Sequence, residues 1–341
     1  MKSPVLSILF LLISVTLLAV PNDFRFRHFS VEDGLSSNSV RAIMQDKYGF
    51  LWIGTEEGLN RYDGIMIKSY SICPQAAGKY ISSLYGTKKN IWIGTDEGIY
   101  IYAYATETFT YFDLTTPNNV RITSIVNHIL QDKDGNLWFS TNGQGLFRYN
   151  LSKNYLEQYE FTSAFGIVAS TMADSDNQIW ALTNQGESGV YKLNKAENKF
   201  EPFGLLYNAG NHHSQALAML EDSEQTLWLG TWECGLQKID KYTRQTTTYL
   251  HPTDGKGVTH IHSLMEYAPH QLLIGSDDGL LLFNTLTEEY KLYFNLLYTN
   301  RLTNTYEEVF KTNSSPAFPL YMRIENNTLL WYAETYDYAS P

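Results

Sequence analysis

Cysteine is nearly absent: Cys73 and Cys234 are the two in 341 residues. They stand far apart and form no CxxC spacing, so neither a disulfide framework nor a cysteine zinc site is indicated. Basic charge is also in deficit, with 25 Lys and Arg against 36 Asp and Glu and a formal net charge of −11. Phosphate recognition usually needs a basic face, so a nucleic-acid partner is not expected. A long apolar run occurs once, from Val5 to Val20 behind Lys2. It falls short of the roughly 20 residues of a membrane helix and stops at Pro21 and Asn22, so residues 1–20 read as a signal peptide, with an N-terminal anchor as the alternative. An exported, periplasmic chain follows. No Gly-x-Ser-x-Gly elbow, phosphate loop or dinucleotide fingerprint stands at a suitable strand-to-helix junction, so no cofactor and no catalytic group is expected.

Aromatic residues are what the chain has instead, with 25 Tyr, 17 Phe and 7 Trp. Such a profile suits sheets better than helix bundles. Trp52, Trp92, Trp138, Trp180 and Trp228 recur at roughly 40 to 48 residues, the length of one four-stranded propeller blade. Leu273 takes the next place. Around the anchors the sequence repeats, as in Leu51-Trp52-Ile53-Gly54-Thr55, Ile91-Trp92-Ile93-Gly94-Thr95 and Leu227-Trp228-Leu229-Gly230-Thr231. Consecutive large residues predict a strand packed on both faces, and the small residue after them allows close backbone approach. Upstream of each anchor a second strand ends in a turn such as Asp46-Lys47-Tyr48-Gly49 or Asp132-Lys133-Asp134-Gly135. In blade two this turn is one residue shorter.

The expectation is an all-β protein, a β-propeller over residues 24–341 with seven four-stranded blades. Six are clear and the seventh, 284–341, is degenerate. It lacks glycine throughout, yet Ile324-Glu325-Asn326-Asn327-Thr328-Leu329-Leu330-Trp331 aligns with a turn and a Trp strand. Its missing outer strand is assigned to Phe24–Phe29, which closes the ring and leaves no long open edge. Six blades with an irregular tail is the alternative.

The run from Val31 through Glu32-Asp33-Gly34-Leu35-Ser36-Ser37-Asn38-Ser39 to Val40, continuing into Gly49-Phe50-Leu51-Trp52-Ile53-Gly54-Thr55 and Gly58-Leu59-Asn60-Arg61-Tyr62-Asp63-Gly64, resembles the two-component regulator propeller repeat. The likeness runs over about 24 to 283. It implies the first periplasmic propeller of a hybrid sensor histidine kinase, responding to oligosaccharides and working with partner domains or as a homodimer. The second propeller, membrane span and kinase of a full member are not in the sequence, so a truncated, non-catalytic sensing module is expected. A protein-interaction scaffold is the alternative, and a polysaccharide hydrolase or lyase the third reading.

Ligand-binding candidates are residues that break the repeat. Arg41 occupies a position held elsewhere by Ser82, Asn127, Ala169, Leu217 and His262, and Trp232 stands where other blades have a polar residue after the Thr or Ser. A Trp ring stacks on a sugar and Arg donates to hydroxyls or carboxylates, although each also fits an inter-blade contact. His260 and His262 form an HxH pair on one face of a strand, but packing or surface roles are the default and no metal is expected. The carboxylate pairs Glu56-Glu57 and Asp277-Asp278 fall where the repeat turns and read as solvated loops. Asp132-Lys133-Asp134-Gly135-Asn136 begins like a calcium loop but has Leu137 and Gly143 where Gly and a chelating Glu belong.

Overall fold

The tryptophan strand is buried on both sides because it is the second of four strands in a sheet that stacks between two others. The computed structural model describes residues 29–72, 79–161, 166–183, 189–204, 215–250, 258, 260–277 and 279–294, and gives backbone alone for 206–207, 293–294, 297–300, 305–308, 320–325 and 328–333. Blade one is β1 (Val40–Gln45), β2 (Leu51–Thr55), β3 (Gly58–Tyr62) and β4 (Ile67–Tyr70). Blade two follows as β5 (Ile81–Gly86), β6 (Asn90–Thr95), β7 (Gly98–Ala103) and β8 (Thr108–Tyr111). Blade three has β9 (Val126–Gln131), β10 (Leu137–Thr141), β11 (Leu146–Asn150) and β12 (Tyr155–Tyr159). Blade four has β13 (Val168–Ala173), β14 (Ile179–Thr183), β15 (Val190–Asn194) and β16 (Lys199–Pro202). Blade five adds a short parallel strand β17 (Leu206–Tyr207) outside β18 (Ala216–Glu221), β19 (Leu227–Thr231), β20 (Leu236–Ile239) and β21 (Gln245–Tyr249). Blade six is β22 (Ile261–Ala268), β23 (Gln271–Ser276), β24 (Gly279–Asn284) and β25 (Tyr290–Phe294). Within each blade, neighbours in sequence are neighbours in the sheet.

Each anchor packs onto the next blade. Trp52 joins Ile81, Ile91 and Ile93 of blade two, and Trp92 joins Ile129, Phe139 and Phe147 of blade three. Trp138 meets Val168, Ile179 and Ala181, Trp180 meets Ala216, Leu227 and Leu229, and Trp228 meets Ile261, Leu272 and Ile274. The core is therefore a series of layers between blades rather than one centre. Apolar burial is the main driving force, and the anchors are its largest units.

The indole N–H is what fixes each anchor's orientation. Asp46 Oδ2 accepts it from Trp52 at 2.8 Å, Asp132 from Trp138 at 2.8 Å, Asp174 from Trp180 at 3.0 Å and Asp222 from Trp228 at 2.7 Å. The other carboxylate oxygen closes the preceding turn, as where Asp46 Oδ1 accepts the backbone N–H of Tyr48 at 2.9 Å and of Phe50 at 3.0 Å. Across the sheet the same four tryptophans face a cation on the third strand: Arg61, Arg148, Lys192 and Lys238 lie 5.2 to 5.9 Å from the ring centroids. The attraction is that of a positive charge for the ring face. Blade two has Thr87 and Ile101 in these places, and Trp92 Nε1 is buried with no hydrogen-bond partner. Asp132 serves Trp138 and its own turn, which explains the superficial calcium-loop pattern.

The Thr or Ser after the small residue has a purpose too. Its hydroxyl donates to the carbonyl of the hairpin glycine, as from Thr55 to Gly58 at 3.0 Å and from Thr231 to Gly235 at 2.7 Å. Gly54 is small because blade two leaves no space: a Cβ there would sit 2.5 Å from Ile81 Cγ2.

Six four-stranded blades stand where seven were expected. Beyond β26 (Leu297–Asn300) and β27 (Thr305–Glu308), the hairpin β28 (Leu320–Glu325) with β29 (Thr328–Ala333) lies against β22 on one side and β1 on the other. Its register, with Met322 opposite Trp331, copies Met44 opposite Trp52. This matches the inner pair of a blade; among the described residues a full seventh blade is not seen. The strand assigned to 24–29 lies outside the described residues except for Phe29, whose ring stands 4.8 Å from Tyr62 of blade one. Residues 1–20 and Cys73 also lie outside them, and Cys234 is buried.

Replacing Trp138 by Ala is expected to cost about 3–5 kcal/mol in urea unfolding, the usual loss for a large buried aromatic. Gly54→Val is expected to cost about 1–3 kcal/mol by overpacking against Ile81.

Candidate functional site

Every blade carries one extra residue in its innermost strand. In blade one, Val40 pairs with Thr55 and Ala42 with Gly54, which leaves Arg41 as a bulge. The same shift singles out Ser82, Asn127, Ala169, Leu217 and His262. A bulge re-aims its side chain and is common beside functional sites. All six stand at the same end of their blades, next to the hairpin between the second and third strands, so they mark one face of the ring.

Their roles differ. Ser82 donates to the Val126 carbonyl at 2.8 Å and Asn127 to that of Val168 at 2.9 Å, so both latch onto the next blade. Arg41 turns to Glu56 on its own hairpin and lies 5.6 Å from the Tyr80 ring of blade two. Glu56, expected to solvate a loop, therefore holds an ion pair. Burial pushes the Tyr80 hydroxyl pKa above its ordinary value.

His262 occupies the bulge of blade six, and its Nε2 lies 2.7 Å from Asp277 Oδ1. The other oxygen, Oδ2, meets Nδ1 of His260. Antiparallel pairing is the reason: Ile261 lies opposite Ser276, so the residues flanking that pair share a face, and the Asp277 N–H donates to the His260 carbonyl at 3.3 Å. Asp277 is thus half-buried between two imidazoles rather than solvating a loop. Burial pushes its carboxyl up, but the hydrogen bonds from His262 and His260 prevail and hold it below the ordinary aspartate value. His260 has φ 30°, in the positive-φ region that few residues other than glycine enter, histidine among the more tolerant of them.

Trp232 completes the cluster from blade five. Its ring stacks on His260 with centroids 3.7 Å apart and planes 26° apart, and meets His262 edge-on at 6.2 Å. It remains 36% exposed, unlike the buried anchors. Of the three residues chosen from sequence, the structure brings Trp232 and His262 together and leaves Arg41 in another blade. His260 had been noticed only as half of an HxH pair, and Asp277 had been set aside. The signal that joins them is the register of one hairpin.

A cavity of about 420 Å³ lies instead between the outer parts of blades four and five, beside Lys192, Lys241, Phe203 and Arg244. Of its cations, Lys241 meets Glu221 and Asp174, Lys192 faces Trp180 and Arg244 lies over the Phe203 ring at 5.3 Å.

Fold and bulge pattern together define a β-propeller whose rigid, repeated framework presents variable residues on one face. Two stretches, residues 34–57 and 120–143, match the family profile of the two component regulator propeller. Histidine kinase P4 of Formosa agariphila is 46% identical over 68 residues, 20% of this chain and 5% of that protein. The extracellular domain of a hybrid two component system from B. thetaiotaomicron superposes with a TM-score of 0.64 at 24% identity, over 78% of this chain and 36% of that one. Virginiamycin B lyase from Staphylococcus aureus gives the same TM-score at 14% identity, over 88% of this chain and 94% of that one. At these identities the superpositions establish the propeller fold. The chain spans about a third of the extracellular domain it matches and a small fraction of the kinase. Among the described residues no helix is long and apolar enough to cross a membrane.

Because the Arg41–Glu56 pair is partly exposed, Arg41→Ala is expected to change unfolding free energy by no more than about 1 kcal/mol. A loss several times larger in a urea titration would make Arg41 a structural latch like Asn127.

Proposed function

We propose that this chain is a ligand-sensing propeller module of a periplasmic two-component sensor, and that its ligand is an oligosaccharide held on the bulge-bearing face at Trp232. The observation that carries the reading is the half-exposed Trp232 beside His260, His262 and Asp277, grafted onto a frame in which two stretches match the two component regulator propeller. An aromatic face next to hydrogen-bonding groups suits the alternating apolar and hydroxylated surfaces of a sugar ring.

The sensing role gathers support from the kind of protein that shares the repeat, and signalling in this reading belongs to domains beyond the propeller. Such a module binds without turnover. Function resides in the grafted residues and not in the fold, which also serves a lyase.

Calorimetric titration of the exported chain with a panel of oligosaccharides is expected to give heat with at least one member and unchanged sugar afterwards. Trp232→Ala should weaken that binding at least about tenfold, equivalent to roughly 1.4 kcal/mol. Heat with no member would remove the oligosaccharide reading, binding to another protein alone would favour a scaffold, and released product would make the chain an enzyme.

A further inference from the structure

We propose that His260, His262 and Asp277 form a binding site for a zinc-class divalent cation, with Trp232 as the wall that orients one of its ligands. The three ligand atoms, Nδ1 of His260, Nε2 of His262 and a carboxylate oxygen of Asp277, lie within 4.8 Å of one another. Neighbouring ligands of a tetrahedral zinc are about 3.3 Å apart, given metal–ligand distances of about 2.0–2.1 Å. To take the ion, the carboxylate–imidazole contacts lengthen and the widest pair of ligand atoms draws in to that spacing.

Three features distinguish this cluster from an ordinary acid–histidine contact. First, two imidazoles converge on one carboxylate, one to each oxygen. Two imidazole nitrogens and a carboxylate oxygen are donors of the kind that zinc takes. Second, the ligands are pre-positioned by backbone: His262 is a bulge, and His260 and Asp277 flank a paired position of the same hairpin. Third, His260 is held at φ 30° with its ring stacked on Trp232 at 3.7 Å. The stacked indole fixes the plane of the His260 ring.

The corresponding positions of blade one show what the site replaces. Arg41 stands where His262 does and Glu56 where Asp277 does, and there the acid meets a guanidinium, which ligates no metal. Substituting histidines changes a closed ion pair into a set of lone-pair donors. Two histidines and one aspartate occupy three positions of a tetrahedral shell and leave one for water or an oxygen of a bound molecule, the arrangement of zinc sites that exchange ligands. When the metal enters, each imidazole presents its lone pair to the ion in place of an N–H to Asp277, so metal binding and the carboxylate–imidazole hydrogen bonds exclude each other. The site does not rest on the oligosaccharide reading.

The test uses untagged, chelator-stripped chain and no sugar. Titration with Zn2+ by calorimetry is expected to show one equivalent bound, and Co2+ in its place should give the visible absorption of a four- or five-coordinate site. Both signals should disappear in His262→Ala and in Asp277→Ala and persist in His128→Ala, whose histidine lies on blade three beside Thr171. Thermal unfolding of each variant without metal verifies folding, and zinc should raise the Tm of the parent but not of the two site variants. No bound equivalent in the parent, or an equivalent that survives in folded His262→Ala and Asp277→Ala chains, would overturn the assignment. The sugar titration stands or falls separately.

Discussion

The structure depends on one buried hydrogen bond used four times, from a tryptophan indole to an aspartate carboxylate in the turn just before it. It links scales that otherwise fold separately. The carboxylate closes the turn, the turn aligns the first two strands, and the oriented indole fills the layer against the next blade. Asp46, Asp132 and Asp174 are buried anions, which are costly unless every oxygen finds a donor. Here Oδ1 takes backbone N–H groups and Oδ2 the indole, while a cation across the sheet lies over the ring. Where the aspartate is missing the cation goes too: blade two keeps Trp92 but has Thr87 and Ile101 in their places. Blade six has Leu273 for the anchor, Tyr267 two places beyond its partner Met265, and Leu282 in place of the cation.

The fold was legible because the anchors are large, rare and evenly spaced, so their period stands out above local variation. The aspartate was not, since Asp is common in turns for its own backbone hydrogen bonds, and nothing in Asp132-Lys133-Asp134-Gly135 shows which acid reaches Trp138. The constant six-residue step from Asp to Trp in blades one, three, four and five was the available clue. The last blade is seen in part: a hairpin at 320–333 copies the inner pair of a blade in register, and the outer strand expected at 24–29 lies outside the described residues apart from Phe29.

The cluster was half legible for a different reason. Trp232 and His262 depart from the repeat and were visible as departures. Asp277 sits in an acidic turn like those of other blades, and only pairing shows that it faces back to His260 and His262. The bulge itself is invisible in sequence because every copy has it, so the period is unchanged. Arg41 and His262 share that place in the repeat but not in space; each serves its own hairpin.

A division of labour follows. The Asp–Trp–cation unit builds the frame, and the bulges place six side chains on one face, of which Ser82 and Asn127 latch onto the next blade while Arg41 and His262 turn to an acid of their own hairpin. The central claim is that the indole–carboxylate bond couples turn to blade. A double-mutant cycle on Asp46→Ala and Trp52→Phe, read by urea unfolding, tests it most directly. The account predicts a coupling of about 1–3 kcal/mol, since either change alone strands a buried polar group. Simple additivity of the two losses would contradict it.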